Sequence, residues 1–367
     1  MADRYKWSLS SCVTTVKCTM LLPRLEEEIM NHTSTSPTPD RIWQLITGYQ
    51  MTAAIKAAIE LNIFTVIAEG NSTASAIAEA TGASQRGVRI LCDTMAVLGL
   101  LVKTGEEYSL ADDSAMFLNE RSPAYMGRVI DFMLGPTITR GFSDLTEAVR
   151  RGGTTVTGDG SVDPESPMWA TFARSMTSFM MPSAQKMAGD LGYEKDAPIK
   201  VLDIAAGHGM FGITIAQQYP NAQIYAVDWK IVLPVARENA ERFGVSDRYH
   251  SIEGSAFDVD FGGDYDVVLV TNFLHHFDIP TCEAFLKRIH SVTKDKGQVL
   301  TLEFVPNDDR VSPPGEALFP IVMLATTPAG DAYTFAELRS MFENAGFSQN
   351  EHRPMSGMPQ HWIVSRK

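Results

Sequence analysis

The stretch from Val201 to Asp228, VLDIAAGHGMFGITIAQQYPNAQIYAVD, constrains the fold more than any other part of the chain. Short apolar runs at its two ends flank a glycine turn, which predicts a strand, a turn, a helix and a second strand. Small residues in such a turn let a ligand approach main-chain amides and a helix N-terminus. An acidic residue at the end of the second strand accepts hydrogen bonds from ribose hydroxyls. The stretch therefore predicts a nucleoside site that includes Gly207, Gly209 and Asp228.

The spacing of the glycines leaves the identity of the nucleoside open. Gly207, Gly209 and Gly212 fit the G-x-G-x-x-G pattern of dinucleotide folds, so a nicotinamide oxidoreductase remains an alternative. Asp203 stands at the end of the first strand, where its carboxylate would repel a pyrophosphate and attract an ammonium group. S-adenosylmethionine (SAM) is a nucleoside that carries such an ammonium group. The carboxylate of Asp203 thus favours SAM as the cofactor.

Further motifs support this interpretation: TNFLHHFD at 271–278, TLEFV at 301–305 and FAELRSMFENAGF at 335–347. With VLDIAAGHG and Asp228, they make the chain resemble SAM-dependent O-methyltransferases of the plant caffeic-acid type and their bacterial small-molecule relatives. The resemblance runs from about Arg41 to Lys367. It implies a homodimer formed through an N-terminal winged-helix domain, and a small, planar, largely apolar acceptor with a hydroxyl group.

Composition narrows the classes of partner. The chain has 31 basic and 44 acidic residues and a net charge of −13, which argues against nucleic acid as a partner. Its 4 cysteines lack CxxC spacing, so neither a disulfide framework nor a zinc site is indicated and a reducing cytoplasm is expected. No apolar run approaches the roughly 18 residues of a membrane span. No acidic pairs with catechol-type magnesium spacing are apparent, so no metal is expected.

Four segments are predicted. Residues 1–38 form a leader or linker, 39–110 a winged-helix dimerisation domain whose first helix is capped by Asp40, 111–190 a helical acceptor-pocket segment, and 191–367 the SAM-binding domain. The expected fold is α/β, with a Rossmann-like, doubly wound sheet of seven strands. Two terminal strands without an intervening helix predict its antiparallel edge. A DNA-binding regulator is a further alternative for the N-terminal helices, but acidic residues outnumber basic ones there.

The candidate catalytic residues follow the fourth and fifth strands of this domain. A histidine suits the removal of a proton from a phenol, and the resemblance places His275 on the family's catalytic base and Glu303 on the carboxylate that orients it. A second glutamate of the family is replaced by Ala332. This departure keeps other functions open, namely a C- or N-methyltransferase or a SAM-binding enzyme that does not methylate.

The remaining candidates are residues expected to contact the cofactor or the acceptor. The resemblance implies that the loop 254–257 touches the adenine, and soft thioether side chains suit a flat aromatic acceptor. Besides those named above, the cofactor candidates are Trp229, Ser255, Ala256, Phe257 and Thr271. The acceptor candidates are Phe142, Phe172, Met176, Met180 and Met323.

Overall fold

The computed structural model describes residues 37–156, 160–163, 166–355 and 358–367. The predicted leader therefore lies almost entirely outside the described residues. Two sheets are present in the described part, a two-stranded hairpin near the N-terminus and a mixed seven-stranded sheet in the C-terminal half. No helix of the described part is long and apolar enough to cross a membrane.

The N-terminal region is a set of helices followed by the hairpin, in the order predicted for a winged helix. Its elements are α1 (Asp40–Glu60), α2 (Ile63–Ala68), α3 (Ala74–Thr81), α4 (Gln85–Val97), β1 (Leu101–Thr104) and β2 (Glu107–Leu110). Ser84 caps α4, because its hydroxyl accepts a hydrogen bond from the Gly87 N–H. The predicted cap of α1 is wrong: Pro39 holds that position, and Asp40 is the first helical residue.

The predicted helical segment is indeed helical in the described residues. It contains α5 (Asp112–Phe117), α6 (Val129–Met133), α7 (Pro136–Ser143), α8 (Leu145–Arg151) and α9 (Met168–Gly189). Helix α9 is the longest helix of the described chain and includes Pro182. It packs against α6 and against the first helix of the C-terminal half.

The C-terminal half is the predicted doubly wound sheet. Its elements are β3 (Lys200–Ile204), α10 (Met210–Gln218), β4 (Gln223–Asp228), α11 (Leu233–Arg242), β5 (Tyr249–Glu253), β6 (Tyr265–Thr271), α12 (Ile279–Val292), β7 (Thr293–Glu303), α13 (Pro314–Ala317), α14 (Pro320–Thr326), α15 (Phe335–Asn344), β8 (Gln349–Pro354) and β9 (His361–Arg366). The strand order is β5-β4-β3-β6-β7-β9-β8. β9 runs antiparallel to both of its neighbours, which confirms the predicted antiparallel edge.

Apolar side chains cover both faces of this sheet. Val201 belongs to the core cluster on one face, whereas Leu202 and Ile204 belong to the cluster on the other. Burial of both faces explains why the strands appear in the sequence as continuous apolar runs. β3, β4, β6 and β7 are parallel, so their carboxyl ends meet at one edge of the sheet, where ligands of open α/β sheets bind.

Candidate active site

A cavity of about 540 Å³ opens at this edge of the sheet and extends to α9 and α14. Its wall is mainly apolar, with main-chain and polar groups at the strand ends. Twelve of the predicted residues line it: Gly207, Asp228, Trp229, Ser255, Ala256, Phe257, Thr271, His275, Phe172, Met176, Met180 and Met323. The cavity therefore brings together the predicted cofactor and acceptor residues, although they come from distant parts of the sequence.

The glycine turn and Asp228 form the polar end of the cavity. One carboxylate oxygen of Asp228 accepts a hydrogen bond from the Gly207 N–H at 2.7 Å, and the other accepts one from the Trp229 N–H at 2.7 Å. Burial raises the pKa of Asp228 to about 6. Gly207 has a φ of +56°, and a Cβ there would meet no atom closer than 3.8 Å, so the missing side chain leaves open space at the wall. This cradle suits a nucleoside that carries donor hydroxyls.

Asp203 and Gly209 lie behind the turn and do not line the cavity. Asp203 is fully buried, and one of its oxygens accepts a hydrogen bond from the Gly212 N–H at 3.2 Å. Its other oxygen has no partner among the described residues, and burial raises its pKa to about 7. A Cβ on Gly209 would lie 2.6 Å from the Tyr249 hydroxyl, so glycine is required there for packing. Both residues support the turn from behind.

His208 lines the cavity and was not among the predicted residues. Its Nδ1 accepts a hydrogen bond from the Met210 N–H at 3.1 Å, and burial lowers its pKa to about 4. The ring is therefore neutral at physiological pH, and its proton resides on Nε2. His208 thus offers a neutral donor at the glycine turn. Its position between two glycines of the predicted turn was the signal in the sequence.

Aromatic and methionine side chains form the apolar end of the cavity. Phe172 makes edge-to-face contacts with Phe132 and Trp169, at centroid distances of 4.9 and 5.6 Å. The prediction for Phe142 is not supported, because this residue is 38% exposed and does not line the cavity. Helix α7 instead turns Ile138 towards the cavity. A spacing argument could not decide which face of this short helix points inward.

His275 and Glu303 meet at the carboxyl ends of β6 and β7. His275 lies in a 3₁₀ turn, Leu274–His276, and its Nδ1 is hydrogen-bonded to one oxygen of Glu303. The other oxygen of Glu303 accepts the main-chain N–H groups of Phe273 and Leu274, at 3.0 and 2.8 Å. Glu303 is therefore fixed by two main-chain donors and leaves Nε2 of His275 as the nitrogen available to a ligand in the cavity.

The opposite side of His275 carries no second carboxylate in the described structure. Ala332 is fully buried. The neighbouring Asp331 donates its main-chain N–H to the His275 carbonyl at 3.0 Å, while its carboxylate faces Arg310 at 3.3 Å. Asp331 therefore supports the backbone of His275 and does not replace the missing glutamate as a partner of the imidazole.

His276 is a second histidine that lines the cavity, and it was not among the predicted site residues. Its ring centroid lies 4.3 Å from that of His275 and 5.3 Å from that of Trp169. Its Nδ1 is buried and has no hydrogen-bond partner among the described residues. Burial, with a smaller contribution from His275, keeps its pKa well below the usual range, so the ring is neutral. Nowhere in the described ranges, this cavity included, could a group of three or more His, Cys, Asp or Glu residues hold a metal ion.

Two protein-family models match the chain, one in its N-terminal part and one in its C-terminal part. Residues 163–348 match a model described as the O-methyltransferase domain, and residues 43–120 match the O-methyltransferase dimerisation domain. The chain is 28% identical to the tetracenomycin polyketide synthesis 8-O-methyl transferase of Streptomyces glaucescens, over 90% of this chain and 97% of that protein. It is 25% identical to the mitomycin biosynthesis 6-O-methyltransferase of Streptomyces lavendulae, over 88% and 93% of the two chains.

Solved structures agree with these matches. A crystal structure from Nostoc punctiforme, assigned as an O-methyltransferase, superposes with a TM-score of 0.87 and 49% identity, over 90% of this chain and all of that one (100%). Human N-acetylserotonin methyltransferase in complex with SAM superposes with a TM-score of 0.78 and 24% identity, over 91% and 99% of the two chains. At that identity the second match shows the fold alone.

Proposed function

Because the chain belongs to the O-methyltransferase family, whose members use SAM, we propose that it methylates a hydroxyl group of a small aromatic acceptor with His275 as the general base. The observation that carries this proposal is the hydrogen-bonded pair of His275 and Glu303, with the free imidazole nitrogen on the side of the cavity. A phenol has a pKa near 10, so a placed base assists its reaction at neutral pH.

The residues at the polar end of the cavity fit the cofactor. Asp228 offers carboxylate oxygens to the ribose hydroxyls, and the open space at Gly207 admits the nucleoside close to the main chain. Ser255, Ala256 and Phe257 form the wall expected to contact the adenine. When bound, SAM supplies an electrophilic methyl group on a sulfonium. Asp203, behind the turn, accepts a hydrogen bond from the Gly212 N–H and so supports the turn that would hold the cofactor.

His275 and Glu303 are the side chains that carry out the proposed proton transfer. Nε2 of His275 takes the proton of the acceptor hydroxyl while Nδ1–H donates to Glu303. The resulting imidazolium is stabilised by the carboxylate, which stays in place because Phe273 and Leu274 donate to it. The apolar wall excludes water and orients the ring of the acceptor. The main-chain donors thus hold Glu303, and through it the imidazole of His275, in place.

The acceptor class is proposed from the wall and from the relatives. Phe172, Trp169 and the stacked pair of Phe304 and Phe319 present flat surfaces to the cavity. Three relatives are named for tetracenomycin polyketide synthesis, for 3-hydroxy-5-methyl-1-naphthoate, which is a fused aromatic compound, and for mitomycin biosynthesis. We propose a fused or substituted aromatic acceptor of secondary metabolism.

The quaternary structure follows from the N-terminal match to a dimerisation domain, and the chain forms a homodimer. The exposed apolar side chains of α1 fit this role: Ile42, Trp43, Leu45, Ile46 and Tyr49 are each more than 60% exposed in the single chain. We further propose the four segments of the sequence analysis as its domain organisation. A cytoplasmic location is proposed from the scattered cysteines.

Calorimetric titration with S-adenosylhomocysteine (SAH) and with NADH tests the cofactor site. The proposal expects SAH to bind and NADH not to bind. Incubation with methyl-labelled SAM and a panel of phenols, enols and amines then tests the reaction, and mass spectrometry with NMR of the product separates O-, C- and N-methylation. Methylation of carbon or nitrogen alone, or no methylation of any hydroxyl compound, would refute the proposed acceptor group.

A further inference from the structure

Among the described residues, the wall of the cavity has no side chain that could balance a negative charge on the acceptor. No described residue that lines it is a lysine or an arginine. The three internal stretches outside the description, 157–159, 164–165 and 356–357, contain neither residue type in their sequence. The one charged side chain on the wall is the acidic Asp228, at the cofactor end.

The basic residues that are closest in sequence to lining residues do not line the cavity themselves. Four stand within two positions of lining residues, and all four are exposed: Arg128, Arg140, Arg174 and Lys230. Arg174 shows how this arises on the helix that forms most of the wall. It lies between Phe172 and Met176 on α9, but its guanidinium is bound to Glu238 at 2.7 and 3.2 Å. The helix turns its apolar side to the cavity and its charge to solvent.

The histidines of the wall do not supply the missing positive charge. His276 is neutral because it is buried and lies beside His275. His208 is neutral because it is buried. The imidazole of His275 is hydrogen-bonded to the Glu303 carboxylate, whose negative charge balances the positive charge that His275 carries after it takes the proton of the reacting hydroxyl. An acceptor carboxylate elsewhere on the ring would thus be buried without a counter-charge, which is strongly unfavourable.

We propose that the acceptor pocket selects uncharged aromatic acceptors and rejects aromatic carboxylates, with the imidazole of His276 as the polar contact that positions them. Esters, amides and ketones fulfil this condition, whereas free hydroxybenzoates and hydroxynaphthoates do not. His276 lines the cavity, its Nδ1 is buried, and its imidazole forms no hydrogen bond with a described group. The polar contact with a carbonyl or hydroxyl of a neutral acceptor is therefore assigned to Nε2, which supplies a hydrogen bond that no described group makes. This inference rests on the proposed aromatic acceptor.

The test compares charged and uncharged acceptors that share one ring system. 6-Hydroxy-2-naphthoic acid, its primary amide and its methyl ester share one ring system, and the amide has nearly the size of the acid. Three matching derivatives of 4-hydroxybenzoic acid form a second series. Methyl transfer from labelled SAM gives kcat/KM for each compound, and titration of each into the complex of the protein with SAH gives Kd without turnover.

We expect the amide and the ester to exceed the acid by about 100-fold or more in kcat/KM and in affinity. An acid that reacts or binds within tenfold of its amide would overturn the inference and leave the methyltransferase function intact. If neutral members bind without being methylated at oxygen, the proposed function fails while the charge selection stands. If no member of either series binds, both proposals fail.

Two variants at one position test the explanation. His276→Arg places a cation in the pocket and should raise the acid-to-amide ratio of kcat/KM by at least tenfold. His276→Gln, which is neutral and able to hydrogen-bond, should leave this ratio unchanged while raising KM for the amide. An unchanged ratio in a folded His276→Arg protein would contradict the charge argument, and the wild-type comparison decides the matter where that variant does not fold.

Discussion

Replacing Glu303 by glutamine is expected to lower kcat by about 10³-fold, although the substitution changes little in shape. The reason lies in the three hydrogen bonds of this carboxylate. It accepts from Nδ1 of His275 with one oxygen and from the main-chain N–H groups of Phe273 and Leu274 with the other. An amide has one acceptor end and one donor end, so it cannot accept from all three groups.

The two orientations of the amide differ in cost. With its oxygen towards Phe273 and Leu274, the amide keeps both main-chain hydrogen bonds but presents an N–H to Nδ1 of His275. With the amide reversed, its oxygen meets Nδ1 but two main-chain donors face an N–H group, which is worse by one hydrogen bond. The first orientation therefore prevails and forces the imidazole proton onto Nε2. In that tautomer the nitrogen facing the cavity cannot accept a proton, the effect known from triads whose aspartate is replaced by asparagine.

The expected magnitude follows from these contacts. To restore the productive tautomer, the amide must reverse, which costs one hydrogen bond and leaves two main-chain donors facing its N–H group. In addition, the imidazolium loses its carboxylate partner. Together these amount to roughly 4 kcal/mol, or about 10³-fold in kcat. This lies within the 10² to 10⁴-fold range of general base catalysis.

Steady-state methyl transfer at saturating SAM measures the effect, and SAH calorimetry with thermal unfolding supplies the controls for binding and folding. His275→Ala should lose a similar factor, and the double variant should lose little more than either single one, because both remove the same function. A Glu303→Gln enzyme within tenfold of wild-type kcat would refute the tautomer argument. Independent, additive losses in the double variant would show that Glu303 acts elsewhere.

Three further outcomes follow. SAH affinity should fall as the pH drops through about 7 and 6, because protonation of Asp203 and Asp228 removes their carboxylates as hydrogen-bond acceptors near the nucleoside. In calorimetric titrations, the Asp228→Asn variant should lose the part of this pH dependence that lies near pH 6. Ala332→Glu places a carboxylate at a fully buried site, so it should lower the midpoint of thermal unfolding by several degrees in scanning calorimetry. An unchanged midpoint would show that a nearby group pairs with the new carboxylate. Trp43→Asp should reduce the mass measured by light scattering towards that of one chain, whereas Gln50→Asp on the same helix should not.

The parts of the fold that the sequence predicted well are those with local signals. Strand β3, the glycine turn and β4 follow from apolar runs and glycines, and α15 carries a capping box between Thr334 and Glu337. The predicted cap at Asp40 failed, because Pro39 before it already starts the helical geometry. Signals at helix ends depend on a single residue and are decided by backbone angles that the sequence leaves open.

The contacts of the site depend on residues far apart in the chain. Glu303 could be named as the partner of His275, but its two main-chain donors follow from the backbone path after β6. Gln360 donates its amide N–H to Asn272 at the edge of the cavity across 88 positions, and no periodicity predicts such a pair. Phe142 and Ile138 stand on one short helix, and only the packing of α7 against α14 determines which of them faces inward.

The proton-transfer pair lies at the ends of sheet strands, whereas helices supply much of the acceptor wall. This separation has an evolutionary consequence. His275 and Glu303 are fixed by main-chain atoms at strand ends, whereas Met176, Met180 and Met323 reach the cavity as side chains of α9 and α14. Mutations in the helices can therefore change which molecule is accepted without disturbing the geometry of the base. A lineage built on this scaffold can diversify its substrates by exchanging a few flexible side chains, and selection can act on recognition and on chemistry separately.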